Sequence, residues 1–318
     1  MALNAFLKQE DTILIIDCHN LIFRTLFVSS EQAKKFGEDI NETDFTYWKH
    51  LFLKSIMAQI KQFKPTNVIV AMDAKRSWRK DVYTDYKANR KSARDVSIID
   101  FEKFFVIADK FFEDMKSTFT NFFFIKEIGC EADDIIAVLT KKTFTDPCII
   151  ISTDRDLNQL LTLKHVKQYN PIEKKYFNVA NPKMELDIKI ITGDKGDNIP
   201  AVHTKCGPVK AAKYISEGLT TITTNSALLE NWNRNRQLID FDFIPLEIEK
   251  SIIEAYTKYS LAAFDGRKFF NFVVKNKLPS LMDNIQEFTA TIKKINQCEL
   301  LNRTELKSPD TKPDPIIS

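Results

Sequence analysis

Three short apolar runs constrain the fold of this chain more than any other feature, because each is rich in β-branched residues and leads into aspartate. The runs are "TILII" (12–16), "NVIVAM" (67–72) and "CIIIS" (148–152), and the acids that follow are Asp17, Asp73, and Asp154 with Asp156. Such runs are typical of buried strands. In a parallel sheet the carboxyl ends of the strands meet at one edge, so the pattern predicts carboxylates gathered there. Asp154 and Asp156, if extended, would point the same way.

Helical patterns separate these runs, at 48–63 and 97–119, and weaker strand candidates lie at 121–125 and 165–169. The alternation predicts an α/β fold with a mostly parallel central sheet flanked by helices. Helical segments dominate after about residue 182. We therefore expect an α/β domain over 11–182, a second, helical region over 183–301, and a polar, Pro-rich tail over 302–318 that is disordered.

Composition narrows the class of protein. The chain has 318 residues, 44% of them hydrophobic and 28% charged, which is ordinary for a globular protein. It contains no apolar run long enough to span a membrane and no signal peptide, which predicts a cytoplasmic protein. The five cysteines are scattered without a C-x-x-C pair, so neither a disulfide framework nor a zinc site is expected.

Further acids occur in two short motifs. "EIGCEADDII" holds Glu131, Asp133 and Asp134, and "GDKGDN" holds Asp194 and Asp197 beside two of the seven glycines. Acids in the first turn of a helix are also stabilised by the helix dipole, which explains one or two of them without any ligand. Nine carboxylates in one pocket, however, repel each other unless cations neutralise them. Oxygen ligands without His or Cys favour Mg²⁺ or Mn²⁺, and two such ions together hydrolyse phosphodiesters.

Positive charge is concentrated in residues 75–94, which hold eight Lys or Arg and two Asp, while the whole chain carries only +3. Local positive charge suits a phosphate-binding surface. The spacing predicts one face of a helix formed by Lys87, Arg90, Lys91 and Arg94, and Trp78, Tyr83 and Tyr86 are candidates to stack on bases. The alternative for this segment is a solvated cationic helix.

These motifs resemble those of the structure-specific 5′ nucleases, which include flap endonucleases and the 5′-nuclease domains of bacterial DNA polymerase I. The similar segments are "MDAKRSWRKDVYTDYKANR", "EADD", "STDRDLNQLL" and "GDKGDNIPAVHTKCGPVKAAKYI", within residues 11–217. The later segment "QLIDFDFIP…IIEAYTKYS" is similar to the T-even phage ribonuclease H branch. The resemblance implies a Mg-dependent 5′-3′ exonuclease and flap endonuclease that removes RNA primers during phage DNA replication in the host cytoplasm.

The resemblance also implies roles for individual residues. One metal group would comprise Asp17, Asp73, Glu131 and Asp133, with Asp134 beside them. The second metal group would comprise Asp154, Asp156, Asp194 and Asp197. Lys87 and Arg90 would act on the scissile phosphate from a basic arch at about 75–96, through or under which a 5′ single strand passes. The implied contacts to nucleic acid are Arg76, Trp78, Arg79, Tyr83, Lys91, Arg94, Lys205, Gly207 and Lys210.

One departure from the family pattern concerns the turn over 197–207. Ala201 stands where the family usually has Gly, and "HTKC" lengthens the turn, so binding of a monovalent cation there is in question. The amides near Gly207 and Lys210 remain candidates to meet duplex phosphate.

Two alternatives, a PIN-type ribonuclease and a non-catalytic protein, stay open, and the residues argue against a third, a phosphatase. A PIN-type ribonuclease shares the acid-tipped strands, but a PIN domain leaves the arch and the 193–218 segment unexplained. A haloacid-dehalogenase-type phosphatase needs D-x-D after its first strand, where this chain has Asp17-Cys18-His19. A non-catalytic protein that binds flap or duplex DNA should have lost acids, and none is missing.

The expected substrates are flap, nicked and RNA-primed duplexes, bound by a monomer with two Mg²⁺ or Mn²⁺ ions. Recruitment by a sliding clamp or by single-stranded DNA-binding protein is a further expectation. "MALNAFLKQED" presents Leu3, Phe6 and Leu7 at helical spacing as a docking peptide, unless they cap the sheet or stay disordered. The tail ending "DPIIS" is the competing docking segment.

Overall fold

The computed structural model describes residues 11–90, 94 and 97–296. Its central sheet has six strands in the order β3-β2-β1-β4-β5-β6, all parallel except β6, which pairs antiparallel with β5. The strands are β1 (Ile13–Asp17), β2 (Asn67–Ala71), β3 (Phe123–Ile125), β4 (Cys148–Ile151), β5 (Val166–Asn170) and β6 (Lys175–Tyr176). The predicted α/β fold is confirmed, and the three strong strand predictions hold within a residue at either end.

The helices surround this sheet. They are α1 (Cys18–Lys35), α2 (Thr46–Phe63), α3 (Arg79–Val82), α4 (Phe101–Thr118), α5 (Ala132–Val138), α6 (Pro182–Thr192), α7 (Pro208–Ser216), α8 (Thr220–Thr223), α9 (Ser226–Ile239), α10 (Leu246–Thr257), α11 (Gly266–Lys275), α12 (Pro279–Met282) and α13 (Ile285–Lys293). A 3₁₀ segment (Arg155–Thr162) follows β4. Asn181 caps α6, and Pro182 and Pro208 begin α6 and α7, where the missing N–H costs nothing.

The continuous apolar runs exist because both faces of the sheet are buried. Leu14 and Ile16 of β1 point into one hydrophobic core, and Ile13 and Ile15 point into the other. Trp48 packs edge-on against Phe104 in the first core, with ring centroids 4.8 Å apart. The helices on either face leave only the carboxyl edge of the sheet for polar side chains.

The region predicted over 183–301 packs in two different ways. Around 183–239, α6, α7, α8 and α9 build a small core of their own, for instance Ile191 with Ala211 and Ile222. A second small core includes Tyr86 together with Ile190 and Leu238. From residue 241 onward the chain returns to the sheet, where Phe269 and Phe272 join one core and Ile252 joins the other. The boundary near 182 remains a prediction, and the predicted tail (302–318) lies outside the described residues.

The direction of the strand order reverses between β1 and β4, which are neighbours in the sheet. A crevice at the carboxyl ends of the strands is expected at such a point. Asp17 ends β1, and Asp154 follows β4, so both acids lie at the crevice.

Candidate metal and nucleic-acid site

Asp17 is fixed at the end of β1 by two hydrogen bonds. Asp17 is the N-cap of α1, and its Oδ1 accepts the Asn20 N–H (3.0 Å). Its Oδ2 accepts the hydroxyl of Ser152, the residue after β4 (2.7 Å). The residue is 3% exposed. Burial, reinforced by the charges of Asp73 and Asp154, raises the pKa of Asp17 to about 6.

Asp73 lies two residues beyond β2 and holds the start of α5. Its Oδ1 accepts the Ala132 N–H (2.8 Å), and its Oδ2 lies 3.2 Å from His19 Nδ1. Burial and then the charge of Glu131 raise the pKa of Asp73 to about 6. His19 was not among the candidate site residues predicted from the sequence. Its position two residues after Asp17 was the available signal.

Asp133 adds a third carboxylate to Asp17 and Asp73. Burial raises its pKa well above the usual value, and the charges of Asp154 and Asp17 raise it further. Asp17, Asp73 and Asp133 are therefore buried acids whose negative charge the surrounding positive charges do not fully offset. A bound divalent cation would supply the missing positive charge.

Glu131 and Asp134 differ from these acids because arginine and lysine already neutralise them. Glu131 lies at the N-terminus of α5, where it and Asp134 form a capping box. The charges of Lys87 and Arg79 outweigh the effect of burial and lower the pKa of Glu131 to about 2. Asp134 is fully buried and accepts from Arg79 Nη1 (3.0 Å) and Nη2 (2.8 Å).

Three predicted roles need correction here. Arg79 is 3% exposed and Trp78 is 8% exposed, and the Trp78 indole N–H donates to Asp134 (3.2 Å). Both were predicted to contact nucleic acid, but they line the interior and hold α5 in place. Asp134 was predicted beside the metal, yet its oxygens accept from Arg79, Trp78 and the Glu131 N–H. It is better described as an internal support for Glu131.

The second acidic group comprises Asp156, Asp194 and Asp197. Each presents a ligand atom within 4.8 Å of the others, and among the described residues this is the group of three whose spacing suits one ion. Burial raises the pKa of Asp156 to about 6. Lys189, which the sequence analysis did not single out, contacts Asp156 and lies 2.7 Å from Asp194 Oδ2.

The backbone after β4 does not continue as predicted. Asp154 caps the 3₁₀ segment, and its side chain accepts the Asp156 N–H (2.9 Å), so the two acids do not lie on one face of an extended strand. The charge of Asp154 raises the pKa of Asp17 and Asp133 in the first group and of Asp156 in the second. Asp154 therefore acts on both groups, although it was predicted for the second.

The loop over 193–200 sets the second group. Asp194 and Ile199 exchange backbone hydrogen bonds (2.9 and 2.7 Å), which closes the loop into a tight turn. Asp194 Oδ1 accepts the Gly196 N–H (2.7 Å) inside it. The loop also holds residues 85–89, because Asn89 donates to the Lys195 carbonyl (3.0 Å) and Asn198 donates to the Asp85 carbonyl (2.8 Å).

Lys87, Arg90 and Tyr86 connect the two acidic groups. Lys87 contacts Glu131 and lies 3.8 Å from Asp197, and Arg90 Nη2 lies 2.6 Å from Asp197. The Tyr86 hydroxyl lies 2.9 Å from Glu131 and 3.2 Å from Asp197. Tyr86 is 3% exposed, so it is not available to stack on a base as predicted.

The predicted helical face also needs correction. Lys87 lies in a turn with φ of +57°, before the helical residues Asn89 and Arg90, so it does not share one regular helix with Arg90. Arg94 lies over the rings of Phe23, Phe101 and Phe105 at 5.6–5.8 Å. Lys91 lies outside the described residues.

The remaining predicted contacts to nucleic acid are more accessible. Arg76 is exposed and pairs with Asp81, and Tyr83 packs under the guanidinium of Arg234. Near α7, Lys205, Gly207 and Lys210 are exposed, and a cavity of about 450 Å³ is lined by Gly207, Pro208, Val209, Lys210 and Lys213.

The second acidic group fits a divalent cation, because the ligand atoms of Asp156, Asp194 and Asp197 lie within 4.8 Å of one another and are all oxygens. Asp17, Asp73 and Asp133 of the first group are buried acids with raised pKa values, but among the described residues no three ligand atoms of this group lie that close together. Oxygen ligands favour Mg²⁺ and Mn²⁺ over zinc. No helix among the described residues has the length and apolar character required to cross a membrane.

Comparison with known families gives two matches along the chain. Residues 12–189 match the 5′-3′ exonuclease N-terminal resolvase-like domain, and residues 180–288 match the C-terminal domain of T4 RNase H. The two matches together span most of the described chain.

Individual relatives agree with these matches. The ribonuclease H of Enterobacteria phage T4 is 30% identical over 306 residues, which cover 88% of this chain and 96% of the relative. The 5′-3′ exonuclease of Bacillus subtilis is 29% identical and covers 80% of this chain and 86% of the relative. In fold, the chain is similar to a bacteriophage T5 flap endonuclease solved with DNA and metal ions. That similarity has a TM-score of 0.57 at 21% identity and covers 88% of this chain and 99% of the other.

Proposed function

The chain belongs to the 5′-3′ exonuclease family, and from this premise we propose that it is a Mg²⁺-dependent, two-metal 5′ nuclease. It would cut 5′ flaps and degrade RNA–DNA and DNA duplexes from the 5′ end, and so remove RNA primers in the cytoplasm of a phage-infected host. The flap substrate is suggested by the T5 relative and the RNA–DNA substrate by the T4 relative.

One observation carries the two-metal proposal. Glu131 from the first acidic group and Asp197 from the second share the same partners, Lys87 and Tyr86. The two groups therefore border one pocket. Asp17, Asp73, Glu131 and Asp133 would hold one ion, and Asp156, Asp194 and Asp197 the other, with Asp154 beside both.

Bound divalent ions would supply a nucleophilic water at neutral pH and stabilise the leaving oxygen. The chain's own cations complete the pocket. Lys87 and Arg90 lie at its rim, held by Glu131 and Asp197, and we assign them to the negative charge that develops on the scissile phosphate. Their present partners are metal ligands, so both side chains are placed where a phosphate and its ions would meet.

Binding of the duplex is assigned to the exposed residues around α7. Lys205 and Lys210 supply charge. The nine-residue helix α7 begins at Pro208, so the N–H groups of Val209 and Lys210 lie at its positive end, which suits phosphate. Arg76, Tyr83 and Arg94 remain candidates to contact the single strand near the arch. A monovalent cation at the 197–207 turn stays a secondary proposal because Ala201 replaces the usual Gly.

Cleavage assays test the proposed function directly. Labelled 5′-flap, nicked and RNA-primed duplexes would be incubated with the full chain in Mg²⁺ and, as control, in a chelator. We expect 5′ products only with the metal. Cleavage that continues in the chelator contradicts metal dependence, and cleavage of single-stranded RNA alone favours the PIN-type alternative.

The two alternatives are weaker. The match of residues 180–288 to a 5′-nuclease relative accounts for the region that a PIN domain leaves unexplained. A non-catalytic DNA-binding protein would not need the acids with raised pKa values that crowd the carboxyl edge of the sheet.

The chain is expected to act as a monomer recruited by a sliding clamp or single-stranded DNA-binding protein. Leu3, Phe6 and Leu7, the proposed docking residues, lie outside the described residues. Deleting residues 2–8 should leave cleavage of a short flap oligonucleotide unchanged and abolish stimulation by the clamp. A lowered melting temperature would instead assign the segment to the core, and clamp stimulation that survives would favour the tail.

A further inference from the structure

The ammonium of Lys189 lies between two of the three acids of the second acidic group. It contacts Asp156 and lies 2.7 Å from Asp194, and these are two of the three acids whose ligand atoms fall within 4.8 Å of each other. The remaining member, Asp197, is paired with Arg90 and lies 3.8 Å from Lys87. Each carboxylate of this group therefore already has a cationic partner from the chain.

The lysine is held in this position by its helix. Lys189 lies in the last turn of α6, one turn before Gly193, where the chain enters the loop that carries Asp194 and Asp197. Its side chain is about 28% exposed, so it is partly enclosed between α6 and the 3₁₀ segment that carries Asp156. Although burial opposes its charge, Asp156 raises the pKa of Lys189, and the side chain stays an ammonium.

A divalent ion cannot share those oxygens without repelling the ammonium, because the two positive charges would lie within a few ångströms of each other. We propose that Lys189 is a built-in counter-ion of the second metal group, which the ion must displace from Asp156 and Asp194 before it binds. The inference rests on the metal dependence proposed above. It makes Lys189 a positioning residue that lowers the affinity of this group for metal and stabilises the acids in its absence.

A cavity beside the site can accommodate the displaced side chain of Lys189. This cavity of about 350 Å³ adjoins Asp156 and Lys189, and its lining includes Arg155, Asn158, Gln159 and Glu185. Glu185 lies one turn before Lys189 on α6, so it offers a new carboxylate partner on the same helix. The movement therefore needs a change of side-chain conformation and no change in the backbone.

Titration of the full chain with Mn²⁺ alone, without nucleic acid, tests this inference. Lys189→Met removes the charge and keeps the length of the side chain, so the weaker of the two Mn²⁺ ions should bind roughly tenfold more tightly or better. Lys189→Arg keeps the charge and should retain the wild-type affinity. Lys195→Met is the matched control, because Lys195 is an exposed lysine in the loop that carries Asp194 and Asp197, and its loss should change the affinity far less.

An equal or weaker affinity in Lys189→Met, with two ions still bound, contradicts the inference alone. An equal gain in Lys195→Met contradicts it too, because the effect would then be one of net charge. A wild-type chain that binds fewer than two Mn²⁺ contradicts the proposed two-metal function, and the inference with it.

A second measurement needs no neutral variant. The NMR signal of the Lys189 side-chain CεH₂ group can be identified by its loss in Lys189→Arg. Saturation of the wild-type chain with Mg²⁺ should shift that signal, and a signal that stays in place overturns the inference.

Discussion

The guanidinium of Arg79 donates to both oxygens of Asp134 inside the protein, at 3.0 and 2.8 Å. Arg79 also donates to Glu131 (3.1 Å) and to the Leu238 carbonyl (2.8 Å) of α9. One side chain thus joins the start of α3, the acidic start of α5 and the helical region. The acids of α5 are held in place partly by a residue of the basic stretch.

We expect Arg79→Met to lower the free energy of unfolding by about 3–5 kcal/mol, because it leaves the carboxylate of Asp134 buried without its charged partner. Urea denaturation of the metal-free chain measures this. Arg76→Met is the control, since Arg76 pairs with Asp81 while both side chains are more than 60% exposed, and such pairs contribute little. Equal losses in the two variants would contradict the structural role of Arg79.

Arg76 and Arg79 also show that the sequence alone does not predict which basic residues are buried. The sequence shows a cationic segment after β2, but its composition and spacing assigned the same role to both arginines. Arg79 lies three positions after Arg76, yet Arg76 is exposed and Arg79 is buried, because the chain packs against α5 at Arg79. Trp78 and Tyr86 were misassigned for the same reason, because an aromatic residue suits a core as well as a base-stacking surface.

Asp133→Asn and Asp156→Asn should each remove cleavage and leave duplex binding intact or tighter. Each change removes one proposed metal ligand and one negative charge near the phosphate, while the amide keeps the shape of the side chain. Single-turnover cleavage in Mg²⁺ and binding in a chelator give the two quantities. Asp81→Asn, which alters an exposed acid, should behave as wild type. Near-wild-type turnover in both active-site variants would contradict the two-metal proposal.

Lys87→Ala and Arg90→Ala should slow the chemical step more than they weaken binding, by roughly 10²-fold or more, because their charges would act on the phosphate in the transition state. Single-turnover rates at saturating enzyme isolate that step. Lys80→Ala is the control, since Lys80 is exposed on α3 and should change only the salt dependence of binding. If all three variants change only that salt dependence, the arch is simply a binding surface.

The acids at the ends of the strands were predictable because strand length, β-branching and a parallel sheet together fix where they lie. Asp17, Asp73 and Asp154 follow from that rule. No such rule predicts that Lys189 contacts these acids, since a lysine in the last turn of a helix is usually solvent-exposed and interacts with the helix dipole. Its contact with Asp156 depends on how α6 packs beside the 3₁₀ segment, and local sequence does not specify that packing.

The acidic site should make the stability of the metal-free chain depend on pH. Burial raises the pKa values of Asp17, Asp73 and Asp156 from 3.8 to about 6. A raised carboxyl pKa stabilises the fold below about pH 4, and that stabilisation is lost as pH rises through 6. We therefore expect the melting temperature in chelator to fall between pH 5 and 7, and added Mg²⁺ to raise it more at pH 7.

Asp17→Asn is the control for this pH dependence. Its amide oxygen can still accept the Asn20 N–H that caps α1, so the helix start is kept while one titrating group is lost. The fall in melting temperature between pH 5 and 7 should be smaller in this variant than in the wild type. An identical pH dependence in both would assign the effect to other groups.

Gly193→Ala should distort the loop that carries Asp194 and Asp197, and Gly218→Ala should leave this loop unchanged. Both glycines adopt nearly the same positive φ, +69° and +68°, which strains alanine at either position, and Gly193, with ψ of −172°, lies in a region that essentially only glycine occupies. A Cβ at 193, however, would lie 2.3 Å from the Ile199 carbonyl oxygen and 2.6 Å from the Pro200 backbone, whereas the one at 218 meets nothing within 4 Å. The Asp194–Ile199 hydrogen bonds would have to break, and Asp194 would move away from Asp156.

The Gly193→Ala variant should therefore lose the weaker Mn²⁺ ion as well as several kcal/mol of stability. The Gly218→Ala variant should keep both ions. Retention of two Mn²⁺ ions by Gly193→Ala would show that the loop does not set the second metal group.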